Sequence, residues 1–288
     1  MKRILITGEN SYIGGKFTEW VAQWPDKYHV DEISVRDDKW KQADFSSYDS
    51  VYHVAGIAHV SSDSKLEDKY FQVNRDLTIE VAKKAKEDDV NQFIFMSSII
   101  VYGTKNEFID ENTEPNPDNF YGESKLQAEK GILPLQDENF NVVIIRPPMI
   151  YGKGSKGNYP LLSKFAQNSP IFPDYPNKRR MLHIDNLSEF IRLIIDNKDE
   201  GTFFPQNEEY VQTSEMVRQI AEYYNRRIWF SKLGNPFISL LFKVKVIRKV
   251  FGDLYYEKAM SAYNYGNYQL NNLEKSIALS ESGSFFIS

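Results

Sequence analysis

A doubly wound parallel α/β sheet is the fold this sequence predicts, on three observations. Short apolar runs rich in β-branched or aromatic residues recur at residues 3–7, 32–35, 50–55, 92–97 and 141–146. Helical patterns separate most of them, and buried strands alternating with helices imply parallel pairing with both faces of the sheet covered. The first strand also runs straight into a glycine-bearing turn, Thr7-Gly8-Glu9-Asn10-Ser11-Tyr12-Ile13-Gly14, and then into a helical pattern through Trp24.

Glycines at such a turn let the backbone approach a pyrophosphate, which the helix N-terminus stabilises through its free N–H groups and dipole. Glycines end strands for structural reasons too, but this position, at the first strand-helix junction, favours a dinucleotide. Ser11 stands where a third glycine is expected, and fits if its side chain points away from the phosphates. The second strand is expected to end at Val35-Arg36-Asp37-Asp38. An arginine there suits the 2′-phosphate of NADP and an acidic residue the ribose of NAD. Arg36 leans the reading to NADP, and the aspartates keep NAD open.

The third and fourth strands lead to the feature that carries most chemistry. Tyr121-Gly-Glu-Ser-Lys125 places a phenol and an ammonium four apart on one helix face, where the ammonium can favour the phenolate. Bringing a phenol from about pKa 10 to near neutrality takes roughly 4 kcal/mol. The same spacing occurs at Tyr12 and Lys16, so spacing alone decides nothing. Tyr121, however, follows an apolar strand that stops in Ser97 and Ser98, and open α/β sheets place ligands at the carboxyl ends of their strands.

After Arg146 the strand-helix rhythm loosens into loops rich in Gly, Pro and Asn. The expected division is a nucleotide-binding part over residues 1–150, with returns near 183–204, and a substrate part over 151–182 and 205–288. The helix at 186–197 and a strand near Thr202 are the returns.

Composition narrows the function. The 288 residues carry 35 basic against 40 acidic side chains, a net charge of −5, with no block of like charge, so nucleic acid is not an expected partner. Cysteine is absent, which excludes disulfides and thiolate chemistry. The N-terminal apolar run reads as a buried strand of a cytoplasmic protein rather than a signal peptide. Residues 237–251 are too short and too basic to span a bilayer; they read as an amphipathic cover of the C-terminal part, with a membrane-surface helix as the other option. The four histidines show no metal-ligand spacing, and His53 and His183 read as core residues in strands.

Taken in order, TGENSYIG, Asp44-Phe45, HVAG at 53–56, Asn74, SSIIVYG, YGESK, RPPMIYG at 146–152 and RRMLHIDNL at 179–187 span about two-thirds of the chain. Together they resemble the extended short-chain dehydrogenase/reductases of the epimerase/dehydratase family, which act on nucleotide sugars. The resemblance implies a Rossmann-type domain and a smaller, discontinuous substrate domain. It implies that Tyr121 is the acid/base at a sugar hydroxyl or carbonyl and that Lys125 holds the nicotinamide ribose and depresses the phenol. Ser98, four residues before the tyrosine of VYG, would hydrogen-bond the reacting oxygen. Cofactor contacts are implied for Gly8, Asn10, Ser11, Tyr12, Ile13, Gly14, Arg36, Asp44, Phe45, Val54, Ala55, Gly56, Asn74, Ser97, Tyr121, Lys125 and Pro147.

Relatives that dehydrate the sugar put an acidic pair directly after the active hydroxyl residue. Here those positions hold Ile99 and Ile100, which cannot transfer protons, so 4,6-dehydration is disfavoured. Epimerisation or net reduction at C4 remains. Ala58 and Met149 depart from the hexose 4-epimerase pattern, while HVAGIAHV resembles 4-ketoreductases. The resemblance further implies that Asn158 meets phosphate or sugar, that Phe172 flanks the base, and that Arg179, with Arg180 beside it, pairs with the diphosphate, UDP being favoured. The tyrosines at 255, 256, 263, 265 and 268 read as packing. A dimer through the helix bearing Tyr121 is an implied partner state, and a non-catalytic dinucleotide sensor on the same fold is the rival function.

Overall fold

The computed structural model describes residues 1–57, 63–240, 242, 247 and 250–282. The chain begins with β1 (Lys2–Thr7), α1 (Tyr12–Val21), β2 (Tyr28–Ile33) and β3 (Ser50–His53), then α2 (Glu67–Tyr70), which passes through a π-helical stretch at Phe71–Asp76 into α3 (Leu77–Glu87). It continues with β4 (Gln92–Met96), β5 (Phe108–Ile109), α4 (Phe120–Ile132), β6 (Asn141–Ile145), β7 (Met149–Tyr151), α5 (Asn158–Asn168), β8 (Ile171–Pro173), β9 (Met181–His183) and α6 (Ile184–Asn197). The last elements are β10 (Gly201–Phe203), α7 (Thr213–Tyr223), β11 (Trp229–Ser231), α8 (Asn235–Leu240), β12 (Tyr255–Tyr256) and α9 (Leu273–Glu281).

Six strands form one sheet in the order β10-β6-β4-β3-β1-β2, every neighbouring pair parallel. Alternation along each strand feeds two cores. Ile4, Ile6, Tyr52, Ile94, Val143 and Ile145 face α1 and α6, which supply Phe17, Val21, Leu187 and Phe190. Leu5, Val51, Phe93, Phe95, Val142 and Ile144 face α3 and α4, which supply Val81, Ala85, Ala128 and Ile132. A strand buried on both faces reads as a continuous apolar run, which is why its neighbours were visible in the sequence.

The second strand differs from expectation. It begins at Tyr28, not residue 32, and ends at Ile33. As an edge strand it carries His29, Asp31 and Glu32 among its residues, and these polar positions break the apolar run that marks the inner strands.

A further apolar cluster joins α5, α7 and α9 through Leu162, Ala166, Met216, Val217, Ile220 and Ile277. The described residues of 237–251 add Ile238, Phe242, Ile247, Val250 and Phe251 to it, so this stretch does cover the C-terminal part. Glu281 ties α9 down, accepting hydrogen bonds from Tyr159 (2.7 Å), Ser163 (2.9 Å) and Tyr224 (2.7 Å). Among the described residues no helix is long and apolar enough to cross a membrane.

Candidate active site

The carboxyl ends of β1, β3, β4 and β6 converge on one edge of the sheet, and the expected cofactor turn stands there. Gly8 has φ +127°, and a β-carbon on it would lie 2.8 Å from the Ala55 backbone nitrogen. Only glycine fits. Val54 and Ala55 both donate backbone N–H groups to the Thr7 carbonyl (3.1 and 2.9 Å), which draws the loop after β3 against the turn. Ser11 is the N-cap of α1, its hydroxyl accepting from the Gly14 amide at 3.1 Å, so its side chain is spent on the helix start. The first-turn amides of α1 have no intrahelical acceptors by geometry. A glycine-walled cradle beneath a helix N-terminus fits a dinucleotide pyrophosphate.

Around the adenosine end the expectations are partly corrected. Arg36 and Asp37 are exposed in the loop after β2, and Asp37 caps a short helical turn through the Lys39 amide (3.1 Å). Glu32, which sequence reasoning passed over, accepts from the Asn10 amide of the glycine turn at 3.1 Å. Asp44 is exposed, and the Ser46 hydroxyl and amide hold its carboxyl below the usual range. Phe45 is not free to serve as a ligand. Its ring is fully buried under the sheet and its amide donates to Asp88 at 2.8 Å, the carboxylate that closes α3.

Ser98 and Tyr121 meet. Ser98 leaves β4 as the cap of a short turn at Ile99–Tyr102, accepting from the Ile100 amide (3.3 Å). Tyr121 lies in the first turn of α4, whose start is fixed by Asn119 accepting from the Gly122 amide at 3.0 Å. The Ser98 hydroxyl lies close enough to favour the ionised phenol. Burial pushes the Tyr121 phenol up; the Ser98 contact opposes this, and Tyr70, whose ring stands 6.2 Å away, adds to it.

Lys125 is buried one helical turn after Tyr121. Its ammonium donates to the Met96 carbonyl at 2.8 Å and lies 4.6 Å from the centre of the Phe95 ring. Burial pushes Lys125 down to about 7, with the Glu129 carboxylate opposing. The phenol, by contrast, is raised, with burial the largest cause. Gly56 lies alongside: a β-carbon there would stand 3.0 Å from Asn74 Oδ1 and 3.2 Å from Lys125 Nζ. Asn74 accepts from the Ile57 amide (2.8 Å) and donates to Ser124 (3.2 Å), joining the π-helical stretch, the β3 loop and α4. His53 bridges Thr7 (2.7 Å) and Thr78 (3.1 Å), and burial, with Lys125 nearby, pushes it down to about 3. It is a neutral core residue.

A second set of charges, missed in the sequence, sits behind the lysine. Ser97 turns its hydroxyl to Glu129 instead of toward the cofactor side. Glu129 is also gripped by Arg146, from Nη2 at 2.6 Å and Nε at 3.1 Å, while Arg146 Nη1 donates to the Tyr102 hydroxyl at 2.7 Å. Glu129 is four residues after Lys125 on the same helix face, so the signal was present. The decoy pair separates: Lys16 pairs with exposed Glu19 at 2.5 Å, and the Tyr12 hydroxyl lies against Gly152.

Asn158 opens α5 half-buried. Arg179 donates to the Gly252 carbonyl at 3.1 Å, and burial pushes its guanidinium down to about 10 against the pull of Asp253. Pro147 is buried and accepts from the Ile99 amide at 3.0 Å, close behind Ser98. Two residues expected at the substrate are packed inside. Phe172 is packed against Phe165, Phe230 and Phe251, so its ring belongs to the core. Arg180 is buried, donating to the Asn207 and Glu208 carbonyls with its guanidinium 3.6 Å from the Tyr210 ring centre; it braces a loop. Ala58 and His59 lie outside the described residues.

Residues 4–211 match the NAD dependent epimerase/dehydratase family. The chain belongs to that family. Among its relatives is the UDP-glucose 4-epimerase of Vibrio cholerae, 35% identical over 70% of this chain and 63% of the relative's length. The chain thus spans less than two-thirds of that protein. The N-acetyl-alpha-D-glucosaminyl-diphospho-ditrans,octacis-undecaprenol 4-epimerase of Escherichia coli O157:H7 is 28% identical over 81% of this chain and 76% of its own length. The fold is that of the Bacillus cereus UDP-glucuronic acid 4-epimerase, solved in complex with NAD, with a TM-score of 0.75, 17% identity and coverage of 96% of this chain and 97% of that one.

Within this epimerase/dehydratase chain, the pair after Ser98 is apolar in place as well as in sequence. Ile99 is buried in a small cluster with Val101, Tyr102 and Leu126, and Ile100 packs against the same cluster. Neither position offers a second acid or base.

Proposed function

We propose that this chain is an NAD(P)-dependent oxidoreductase acting by hydride transfer at C4 of a nucleotide-diphospho-sugar, a UDP-sugar above all, as a 4-epimerase or 4-ketoreductase. The observation that carries this reading is the buried Ser98–Tyr121 hydroxyl pair, with Lys125 anchored behind it and the glycine cradle of β1–α1 beside it. Bound NAD(P) would supply the hydride acceptor or donor. Tyr121 gives or takes the proton on the C4 oxygen, and Ser98 orients that oxygen. A phenol pushed up by burial is held as an acid, which suits proton delivery to a carbonyl. Lys125 holds the nicotinamide ribose, Arg179 the diphosphate and Asn158 the adjoining sugar. Arg36, exposed and beyond β2, selects the 2′-phosphate of NADP. Ile99 and Ile100 argue against 4,6-dehydration, because that reaction needs an extra acid and base. Residues 151–182 and 205–288 form the substrate part in this reading, and a homodimer through α4 is its assembly.

The test is to identify the dinucleotide retained on purification and to offer a UDP-hexose and a UDP-4-keto-6-deoxy sugar separately. Inversion at C4 without net cofactor change makes the chain an epimerase; stoichiometric NADPH consumption makes it a reductase. Dinucleotide binding with no turnover of either class, and no effect of Tyr121→Phe, would overturn both in favour of a non-catalytic dinucleotide sensor.

A further inference from the structure

One face of the C-terminal part is apolar, exposed and rich in cations, with Asp174 beside Lys232 at 3.9 Å. Strands β8 and β11 pair in parallel, with Ile171 opposite Trp229 and Phe172 opposite Phe230. Phe172 and Phe230 turn inward, their ring centres 6.3 Å apart, so alternation puts Ile171 and Trp229 side by side on the outer face. Trp229 is 76% exposed and Ile171 52%. The chain then turns through Lys232 and Leu233, the latter 88% exposed, into α8, which ends on Leu240 at 77%. Solitary exposed apolar residues are ordinary, but large ones gathered on one turn and ribbon mark a contact surface.

Charge says what that contact is. Residues 223–252 hold seven lysines and arginines and no aspartate or glutamate, while the whole chain is at −5, so the remaining residues together carry −12. Of the seven, Arg226, Arg227 and Lys232 are exposed within or beside the ribbon and turn. Asp174 stands 3.9 Å from Lys232, while the run 223–252 itself carries no carboxylate. Tryptophan and leucine tips among an excess of cations match the headgroup region of an anionic bilayer, where aromatic rings settle and cations meet acidic lipids.

We propose that this face docks the protein peripherally on an anionic membrane surface, with Trp229, Leu233 and Leu240 entering the headgroup layer and Arg226, Arg227 and Lys232 facing acidic lipid. Docking of this kind does not depend on the C4 chemistry proposed above, and either can fail while the other stands.

The full chain is sedimented with vesicles of phosphatidylcholine alone and of phosphatidylcholine mixed with phosphatidylglycerol. Binding is expected only to the anionic vesicles, weakening as salt screens the charges. A blue shift of tryptophan emission on binding is expected, and is lost in Trp229→Phe, because Trp20, Trp24 and Trp40 lie in the sheet half of the fold. Trp229→Ser combined with Leu233→Ser weakens binding tenfold or more with an unchanged thermal melt, since both side chains are exposed. Lys232→Glu weakens binding and flattens its salt dependence. Absence of binding to anionic vesicles, or binding that the double variant leaves intact, overturns the proposal. So does a dimer in light scattering that the double variant dissociates, which would assign the face to a second copy of the chain.

Discussion

Lys125 donates its ammonium to the carbonyl oxygen of Met96, 2.8 Å away, at the last residue of a central strand. A buried cation fixed to the sheet in this way cannot follow the phenol four residues earlier. Burial sets two opposite shifts on one helix face: Lys125 is pushed down to about 7 and Tyr121 is pushed up.

The first prediction concerns stability against pH. The folded chain releases the Lys125 proton near pH 7, whereas an unperturbed lysine keeps it to 10.5. Between those values the unfolded state binds more protons, so this group's contribution to stability rises with pH across the window. Lys125→Met is expected to flatten that rise between pH 7 and 10, read as denaturant midpoints. A variant with the wild-type slope would assign the titration to another group. The range stops at pH 10 because phenols raised by burial then begin to act in the opposite direction.

Removing the Tyr121 hydroxyl should stop chemistry without unfolding the chain. Tyr121→Phe keeps the ring against Tyr70 and loses only the hydroxyl beside Ser98. A fall in kcat of about 10²–10⁴ is expected on whichever C4 substrate the enzyme turns over, with Ser98→Ala lower in effect. Steady-state rates and a melting curve on the same preparation check both halves.

Glu129→Gln tests the charges behind the lysine. Glu129 is 1% and Arg146 12% exposed at the side chain, and breaking such a pair from one side costs about 3–5 kcal/mol. A large fall in Tm is expected. Arg146→Met in the Glu129→Gln background should recover part of the loss, because it removes the orphaned cation. The Lys125 transition should also move below its wild-type position, since the carboxylate that favours its charge is gone.

Gly8→Ala places a β-carbon 2.8 Å from the Ala55 nitrogen at a φ of +127°. Strain of this kind costs about 1–3 kcal/mol. The expected outcome is a lower Tm and weakened dinucleotide binding in calorimetry; a variant that binds as tightly as the wild type would show that the turn relaxes freely.

Arg36→Ala addresses cofactor choice. Charge-assisted hydrogen bonds contribute about 1.5–3 kcal/mol, so the KM for NADPH should rise about tenfold or more while that for NADH stays nearly constant. Equal changes in both would remove Arg36 from the 2′-phosphate.

Much of the fold was legible because strands buried on both faces announce themselves. The runs at 50–55, 92–97 and 141–146 became β3, β4 and β6. The edge strand β2 was misplaced because its polar residues hide the period. Within the candidate site, Ser98 and Tyr121 could be paired from strand end and helix face, but Phe45 and Phe172 could not be told from ligand contacts. An aromatic ring satisfies a motif and a core equally well until packing is known.

Residue order alone settled the parallel α/β class, the glycine turn, the family and the absence of an acidic pair at Ile99 and Ile100, since each depends on identity and local period. It also held an overlooked signal, the lack of carboxylates across residues 223–252. Only the folded chain decided where the buried charges go. Lys125 turns to Met96, Ser97 to Glu129 and Arg180 to the carbonyls of Asn207 and Glu208. The energy of a buried charge depends on which acceptors the packing of distant segments brings within 3 Å, and no local spacing encodes that.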